Sequence, residues 1–328
     1  MKKIIIAIII FIIALGLFLK ITKKPAPTKL QKVTIMMPFI SQIQWAAYYA
    51  TLKNGYYQDE GLDVNILYSA KGNVGPVEQL IGGKVDLIMT GEESVIMARS
   101  KGLDVVAVYP IGPTNVYYIV SQKNKNINKP LDLVGKKVGV LGAGSATSNN
   151  LLAILSIAKI DKNDVDIINA GMTKVPAFLE GKFDAASVHL TELLQIEKKI
   201  PDLNIIKASD YSDIARYHIA TSGKLIKSNP DLISKFLKAT KKGIEFSANH
   251  PEETVNIFNS LNPDAKSQKK DDLDTWNALV KEFHYKASLP GLEKSENWQK
   301  SQDVLFNTGM ITKKTDVASM FTNKFIPK

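Results

Sequence analysis

Two carboxylates stand at matching places in two similar stretches of the sequence. Glu93 follows Gly83-Lys84-Val85-Asp86 and an apolar run, and Glu192 follows Gly181-Lys182-Phe183-Asp184 and a second apolar run about a hundred residues later. A carboxylate accepts charge-assisted hydrogen bonds from a bound molecule, and a pair can also perform general acid–base chemistry. Either one alone is also explained as a negative charge that stabilises a helix N-terminus. Their matching positions favour two carboxylates that contact one ligand from opposite sides.

A glycine-rich turn could hold an anionic group. Residues 142–147 read GAGSAT after a predicted strand and open a predicted helix, as in a dinucleotide-binding turn, although the third glycine of that motif is absent. Free N–H groups of Ser145 to Thr147 and the Ser145 hydroxyl would face a ligand beyond the strand end, so Gly144, Ser145 and Ala146 are predicted to line its site. An ordinary tight turn explains these residues equally well.

Amide and aromatic side chains crowd the loop and first turn after the first predicted strand. Trp45 and Tyr49 would share one face of a helix, so some of these aromatic residues must belong to the core. We assign Tyr49 to the core. Gln44 and Trp45 lie nearest the helix start, where an aromatic ring can stack on a planar ligand and an amide can orient it. Gln42 and Asn115 complete the predicted ligand-binding residues.

Several kinds of chemistry are excluded by residue type. The sequence has no cysteine, which rules out disulfides, thiolate metal sites, a cysteine nucleophile and a lipidated cysteine anchor. Its four histidines are far apart without ligand spacing, so no metal site is predicted. No G-x-S-x-G or G-K-[ST] motif supplies a nucleophile or a phosphate cradle. We therefore predict a binding protein without catalysis or cofactor, with a nucleotide-dependent enzyme built on residues 142–147 as the alternative.

Strands and helices alternate in two similar series that must position these residues. The first series runs from Val33 to Ile111 and the second from Lys136 to Lys207, a pattern typical of a doubly wound α/β sheet in each. After Pro230 the pattern is helical only, and these helices are expected to pack on the first series. Strands at 117–120 and 217–221 are predicted to cross between the two units and to form a hinge.

These observations predict a two-lobed α/β fold with two crossing hinge strands. The first lobe is predicted to comprise residues 33–115 and 220–328, and the second lobe residues 116–219. The loops at the strand ends of both lobes would converge on one cleft, where a ligand is expected.

The N-terminal segment resembles a signal or a membrane anchor. Ile4 to Leu19 is an unbroken apolar run after two lysines, so residues 1–22 are predicted to be a signal or, preferably, an uncleaved anchor helix, with residues 23–32 as a linker. Seven lysines in residues 1–32 leave a net charge of only +3 for the rest of the chain, which argues against a nucleic-acid partner. The lysines after the run oppose export under the positive-inside rule. A cleft that binds external solute favours export, because the cleft has no use without access to that solute.

Longer motifs resemble a known family. They are SQIQWAAYYATLKNGYYQDEGLDV, GGKVDLIMTGEESVIMARSKGLDVVAV, LVGKKVGVLGAGS, LEGKFDAASVHLTE and FTNKFIP. They resemble the solute-binding proteins of ABC importers for thiamine-pyrimidine precursors, riboflavin and alkanesulfonates, over nearly everything after residue 33. The resemblance implies a type II periplasmic-binding-protein fold that closes on its solute. Positions that commonly line the family's cleft match Gln44, Trp45, Glu93, Gly144, Ser145 and Glu192.

One branch of this family consists of enzymes, the fungal pyrimidine synthases, which consume their own histidine and an attached pyridoxal phosphate. They use a lysine, a histidine and a cysteine-rich segment, whereas residues 85–95 contain neither lysine nor histidine and the chain has no cysteine. We therefore predict an extracytoplasmic, monomeric protein that delivers a planar heterocycle, first of all a thiamine pyrimidine precursor, to an ABC permease and ATPase. The alternatives are riboflavin, a sulfonate or another small anion as ligand, or a sensor ectodomain tethered by its N-terminal helix.

Overall fold

The strands of the computed structural model belong to two series. The structure describes residues 29–69, 75–112, 114–262, 269–283, 285 and 291–327. Contacts group residues 32–328 into one compact unit. The strands are β1 (Gln31–Met37), β2 (Leu62–Tyr68), β3 (Leu87–Gly91), β4 (Val105–Pro110), β5 (Tyr117–Gln122), β6 (Lys137–Val140), β7 (Asp166–Asn169), β8 (Ala185–His189), β9 (Leu203–Lys207) and β10 (Tyr217–Ser222).

Helices connect the strands and then continue alone to the C-terminal part of the chain. They are α1 (Ala46–Lys53), α2 (Tyr56–Asp59), α3 (Pro76–Ile81), α4 (Glu92–Ser100), α5 (Ala146–Ile157), α6 (Lys174–Leu179), α7 (Leu190–Glu197), α8 (Gly223–Ser228), α9 (Pro230–Asn249), α10 (Pro251–Leu261), α11 (Lys269–Glu282) and α12 (Ser295–Asn307). The sequence pattern did not predict α2 and α8. Both are too short for a helical period to show in the sequence.

The two sheets have the same internal order. The first is β2-β1-β3-β10-β4 and the second is β7-β6-β8-β5-β9. In the first sheet β1 and β3 are parallel, while β10 is antiparallel to β3 and β4. In the second sheet β6 is parallel to β7 and β8, while β5 is antiparallel to β8 and β9. The predicted architecture of two similar α/β units is confirmed.

The chain changes sheet twice. It leaves the first sheet after β4 and enters the second with β5, and it leaves the second after β9 and returns with β10. The two strands therefore lie where crossing was predicted, and a hinge motion about them remains a prediction. Their first residues, Tyr117 and Tyr217, contact each other, because the two hydroxyl oxygens are 3.0 Å apart and share a hydrogen bond.

The C-terminal helices pack on the first series, and two of them also contact the second series, which the sequence pattern does not predict. Helices α9 and α10 pack on α1, but α12 packs on both α4 and α5. Trp298 and Leu305 of α12 share an apolar cluster with Ala153 of α5. Lys198, the residue after α7, also donates to Asp271 of α11 at 2.5 Å. Burial of the apolar face of α12 needs side chains from both series, which periodicity alone does not show.

The predicted N-terminal anchor, residues 1–22, lies outside the described residues. Every helix among the described residues is too short or too polar to span a bilayer.

Helix α9 approaches α1 closely at Gly243. A Cβ atom on Gly243 would lie 2.8 Å from Cβ of the buried Thr51 and even nearer its hydroxyl oxygen. We expect Gly243→Ala to lower the free energy of unfolding by about 1–3 kcal/mol, because overpacking outweighs the better helix propensity of alanine. Urea unfolding measures this change. Gly291→Ala is the control, since no atom of the described residues lies within 4 Å of its Cβ position. Equal stability of both variants would contradict the packing.

Candidate functional site

Aromatic rings from both sheets meet at the ends of β3 and β8. Tyr217 is paired with Gly91, the last residue of β3, and Tyr117 is paired with His189, the last residue of β8. The His189 ring lies edge-on to both tyrosines, with centroid distances of 5.2 Å to Tyr117 and 6.2 Å to Tyr217. Trp45 lies edge-on to Tyr217 at 5.7 Å. We call these four side chains, Trp45, Tyr117, His189 and Tyr217, the aromatic wall.

The aromatic wall is buried, yet some of its polar atoms have no hydrogen-bond partner in the part of the chain that the structure describes. These atoms are Trp45 Nε1 and His189 Nε2, together with Gln44 Oε1 and Glu93 Oε2 beside the wall. Buried polar groups are nearly always hydrogen-bonded, so unpaired atoms in one region need an explanation. A bound polar ligand provides one.

Glu93 lies at the start of α4, two residues after the end of β3. Its backbone N–H donates to the Ile214 carbonyl at 2.9 Å, which fixes the residue beside the segment that leads into β10. The side chain is only 3 % exposed, and burial raises the pKa of its carboxyl group to about 8. Near neutral pH the group is therefore largely protonated and can both donate and accept a hydrogen bond.

Glu192 lies at the corresponding place in the second series and has a structural role as well. Its Oε2 accepts from the backbone N–H of His189 at 3.0 Å and from Lys174 Nζ at 2.9 Å. The first bond belongs to a capping box at the start of α7, so the interpretation of Glu192 as a helix-end stabiliser applies. The Lys174 side chain is 1 % exposed, and that of Glu192 is 29 % exposed.

Both carboxylates lie near the tyrosine pair. Burial raises the pKa of the Tyr117 and Tyr217 phenols, that of Tyr217 to about 12, and the negative charges of Glu93 and Glu192 add to the effect on both. The two carboxylates predicted from the repeat thus flank one aromatic wall.

The glycine-rich turn is closed by its own hydrogen bonds. The Ser145 hydroxyl donates to the Gly142 carbonyl at 2.6 Å and accepts from Ser148 N–H as the N-cap of α5. The backbone N–H of Ser145 donates to the same carbonyl at 3.1 Å, so the prediction that this N–H is free is wrong. The cause is the tight turn that Gly144 permits at φ +75°. Gly144 is exposed, and Ala146 is the first residue of α5.

Asn115 and Gln42 serve the local structure around the aromatic wall. The buried Asn115 amide donates to Asn150 Oδ1 at 2.6 Å and to the Ser212 carbonyl at 2.8 Å, and its oxygen accepts from Tyr117 N–H. The carbonyl of the half-buried Gln42 accepts from Trp45 N–H at 3.0 Å. Their predicted contact with a ligand stays a prediction.

The sequence pattern did not predict three residues of the wall, Tyr117, His189 and Tyr217, or the neighbouring Lys174. The tyrosines carry a usable signal, because each begins a crossing strand and the two lie 100 residues apart in sequence. His189 and Lys174 carry none, because a histidine at a strand end and a lysine at a helix start are ordinary surface residues in most sequences.

Arg216, the residue before Tyr217 of the wall, belongs to a buried cluster of charged side chains. Arg216 contacts Glu92, and its Nη1 and Nη2 donate to the two Glu293 oxygens at 3.3 and 3.2 Å. His218 Nε2 lies 3.4 Å from Glu293 Oε1, and Trp298 Nε1 donates to Glu293 Oε2 at 2.6 Å. The ligating atoms of Glu92, His218 and Glu293 lie within 4.8 Å of one another. Because the guanidinium already pairs with both carboxylates, the cluster is an ion-pair network.

Proteins similar in sequence include named binding proteins. The riboflavin-binding protein RibY of Chloroflexus aurantiacus is 27% identical over 320 residues, which are 93% of this chain and 90% of RibY. The formylaminopyrimidine-binding protein of Halalkalibacterium halodurans is 24% identical over 234 residues, 70% of each chain.

A solved structure shares the fold of this protein. The periplasmic aliphatic sulphonate binding protein SsuA from Escherichia coli superimposes with a TM-score of 0.71 at 16% identity, covering 88% of this chain and 91% of SsuA. The fold is therefore that of the periplasmic binding proteins.

The sequence description of the NMT1/THI5 like family matches residues 42–254, well over half of the chain. The protein belongs to the NMT1/THI5-like family.

Proposed function

We propose that this protein is the extracytoplasmic solute-binding protein of an ABC importer and that it binds a small planar heterocycle. The preferred ligand is a thiamine pyrimidine precursor, a hydroxymethyl- or formylamino-pyrimidine. The observation that carries the proposal is the aromatic wall with a carboxyl group on each side. Aromatic surfaces favour a flat ligand, and the carboxyl oxygens favour one with N–H donors.

The charges at the site favour an aminopyrimidine over a sulfonate. A sulfonate is permanently anionic and offers only acceptors. Among the described residues, the buried lysine and arginine are Lys174 and Arg216, and both are already paired with carboxylates. An anion would therefore meet Glu93 and Glu192 without a free buried cation to offset them. A neutral ring with an amino group avoids this cost.

Riboflavin is the second candidate, because the relative RibY is named for it and its ring system is also planar. Delivery to a permease and an ATPase follows from the proposed role, as does a location outside the cytoplasm. The catalytic alternative has less support, since the synthase branch of the family relies on a cysteine-rich segment and this chain has no cysteine.

Titration calorimetry with a panel of ligands tests the proposal. We expect 4-amino-5-hydroxymethyl-2-methylpyrimidine or its formylamino counterpart to bind at least tenfold more tightly than riboflavin and far more tightly than taurine, a difference of about 1.4 kcal/mol or more. If riboflavin binds most tightly, riboflavin and not the pyrimidine is the ligand. Binding of taurine alone would contradict the planar heterocycle.

Trp45 offers a separate test of the wall. Trp45→Phe keeps an aromatic ring and removes the unpaired Nε1–H, so we expect the dissociation constant of the best-bound heterocycle to rise about three- to tenfold. Trp276→Phe is the matched control, because its Nε1 donates to the Ser247 carbonyl at 3.0 Å within the first lobe. The control should lose stability and keep its affinity. Unchanged affinity of Trp45→Phe would show that Nε1 does not contact the ligand.

A further inference from the structure

We propose that His189 donates a hydrogen bond from Nε2 to an acceptor atom of the bound heterocycle, and that Lys174 is the positioning residue that prepares both His189 and Glu192 for this contact. The ligand part of this inference rests on the proposed function. The state assigned to the two side chains does not, because it follows from contacts within the protein.

The tautomer of His189 follows from its hydrogen bonds. Two groups of Thr191 contact His189 Nδ1: the backbone N–H donates to it at 3.2 Å, as the N-cap contact of α7, and the hydroxyl oxygen, which can donate or accept, lies 3.0 Å away. A backbone N–H can only donate, so Nδ1 must carry a lone pair. A neutral imidazole with an unprotonated Nδ1 carries its hydrogen on Nε2. This Nε2 is buried and has no hydrogen-bond partner among the described residues, so it is a donor in need of an acceptor.

The groups around the ring keep it neutral. Tyr117 and Tyr217 face its edges, Lys174 of α6 and Glu192 of α7 lie beside it, and Glu93 lies near the same tyrosine pair. Burial, with a further contribution from the Lys174 charge, lowers the pKa of His189 to about 3. The folded protein therefore holds the neutral ring throughout the physiological range of pH.

Lys174 positions the carboxylate of Glu192, which is the second group proposed to contact the ligand. Its Nζ donates to the Ser187 carbonyl at 2.8 Å and to Glu192 Oε2 at 2.9 Å, and the latter oxygen also accepts from His189 N–H. Oε2 is thus occupied, which leaves Glu192 Oε1 to accept from a ligand. An acceptor that faces His189 beside a donor that faces Glu192 describes a ring nitrogen next to an amino group. A sulfonate can satisfy only the first of these two contacts.

His189→Asn separates the two roles of the ring. Asparagine is a good N-cap, so its Oδ1 can replace Nδ1 as the acceptor for Thr191 N–H, whereas the Nε2 donor is lost. We expect the melting temperature to stay near that of the wild type and the dissociation constant for 4-amino-5-hydroxymethyl-2-methylpyrimidine, or for the panel ligand that binds best, to rise about tenfold. His189→Gln keeps a donor and weakens the cap, so we expect a lower melting temperature and a dissociation constant near that of the wild type. Wild-type affinity of His189→Asn would overturn the donor role.

Nitrogen-15 NMR of the ligand-free protein tests the tautomer and the role of Lys174. In the wild type we expect Nε2 to be protonated and Nδ1 unprotonated, without titration from about pH 8 to about pH 5. In Lys174→Met the pKa of the ring should rise above its wild-type value, because a positive neighbour is lost and Glu192 loses its ion pair while burial still favours the neutral ring. Lys182→Met, at an exposed lysine, is the control and should leave His189 unchanged.

A proton on Nδ1, or titration of the wild-type ring in this window, would overturn the inference even if Lys174→Met fails to fold. The two proposals can fail separately. If no heterocycle in the panel binds but the NMR result holds, the proposed ligand class is wrong and the prepared histidine remains.

Discussion

Replacing Arg216 with methionine is expected to lower the free energy of unfolding by about 3–5 kcal/mol. The substitution removes the guanidinium that pairs with Glu92 and Glu293, which are 0 % and 5 % exposed in their side chains. Two buried carboxylates then remain near each other without that cation, and this is far more costly than the loss of a surface ion pair. Denaturant unfolding monitored by tryptophan fluorescence measures the change.

Arg99→Met is the matched control. Arg99 pairs with Asp104, whose side chain is 56 % exposed, at 2.9 Å on the protein surface. Such a pair contributes about 0–1 kcal/mol. Equal stability losses in the two arginine variants would contradict a buried network. Because Arg216 precedes Tyr217 and Glu92 precedes Glu93, the first variant should also lose ligand affinity.

Replacing Glu93 with glutamine is expected to flatten the pH dependence of stability in the ligand-free protein. Burial raises the pKa of Glu93 from 4.5 to about 8 in the folded state. A raised folded-state pKa contributes stability that is fully present below about pH 4.5 and is lost as the pH rises through about 8. The wild type should therefore lose about 3–5 kcal/mol across this window through Glu93. Glutamine cannot ionise, so the variant should escape that loss.

Melting temperatures of the wild type and the variant at a series of pH values test this prediction. The two curves should converge at low pH and separate as the pH rises, with the variant more stable at about pH 8. The control is Glu78→Gln, at an exposed glutamate in the first turn of α3, which should run parallel to the wild type. A parallel curve for Glu93→Gln would show that this carboxyl group is not kept neutral by burial.

Much of the fold could be predicted because its elements leave strong local signals. Helix α9, Pro230–Asn249, begins where the pattern after Pro230 was predicted to be helical; in the structure Asn229 caps it, Pro230 occupies its first turn and an apolar face repeats along it. The two repeated series also led to the two sheets. Helix α2, Tyr56–Asp59, has too few residues to show such a period. The bridging position of α12 depends on contacts between distant segments, which no local pattern contains.

The candidate site was accessible to prediction only in part. Trp45 and Glu93 stand at helix starts after strands, and the structure places both near Tyr217. Their contact with a ligand remains a prediction. Lys174 and His189 could not be found, because their importance depends on burial and on the one hydrogen bond that fixes a tautomer. The N–H of Ser145 was misjudged because a tight turn and an open anion site have the same sequence.

Mass spectrometry can identify the small molecule that the protein retains. The purified protein is incubated with a small-molecule extract of cells, washed, and denatured to release what it holds, with the His189→Asn variant treated in parallel. We expect the wild type to release a planar heterocycle with an amino group and the variant to retain much less of it. Equal retention by both proteins would contradict the donor role of His189, and release of a sulfonate or another acceptor-only anion would contradict binding of a planar heterocycle.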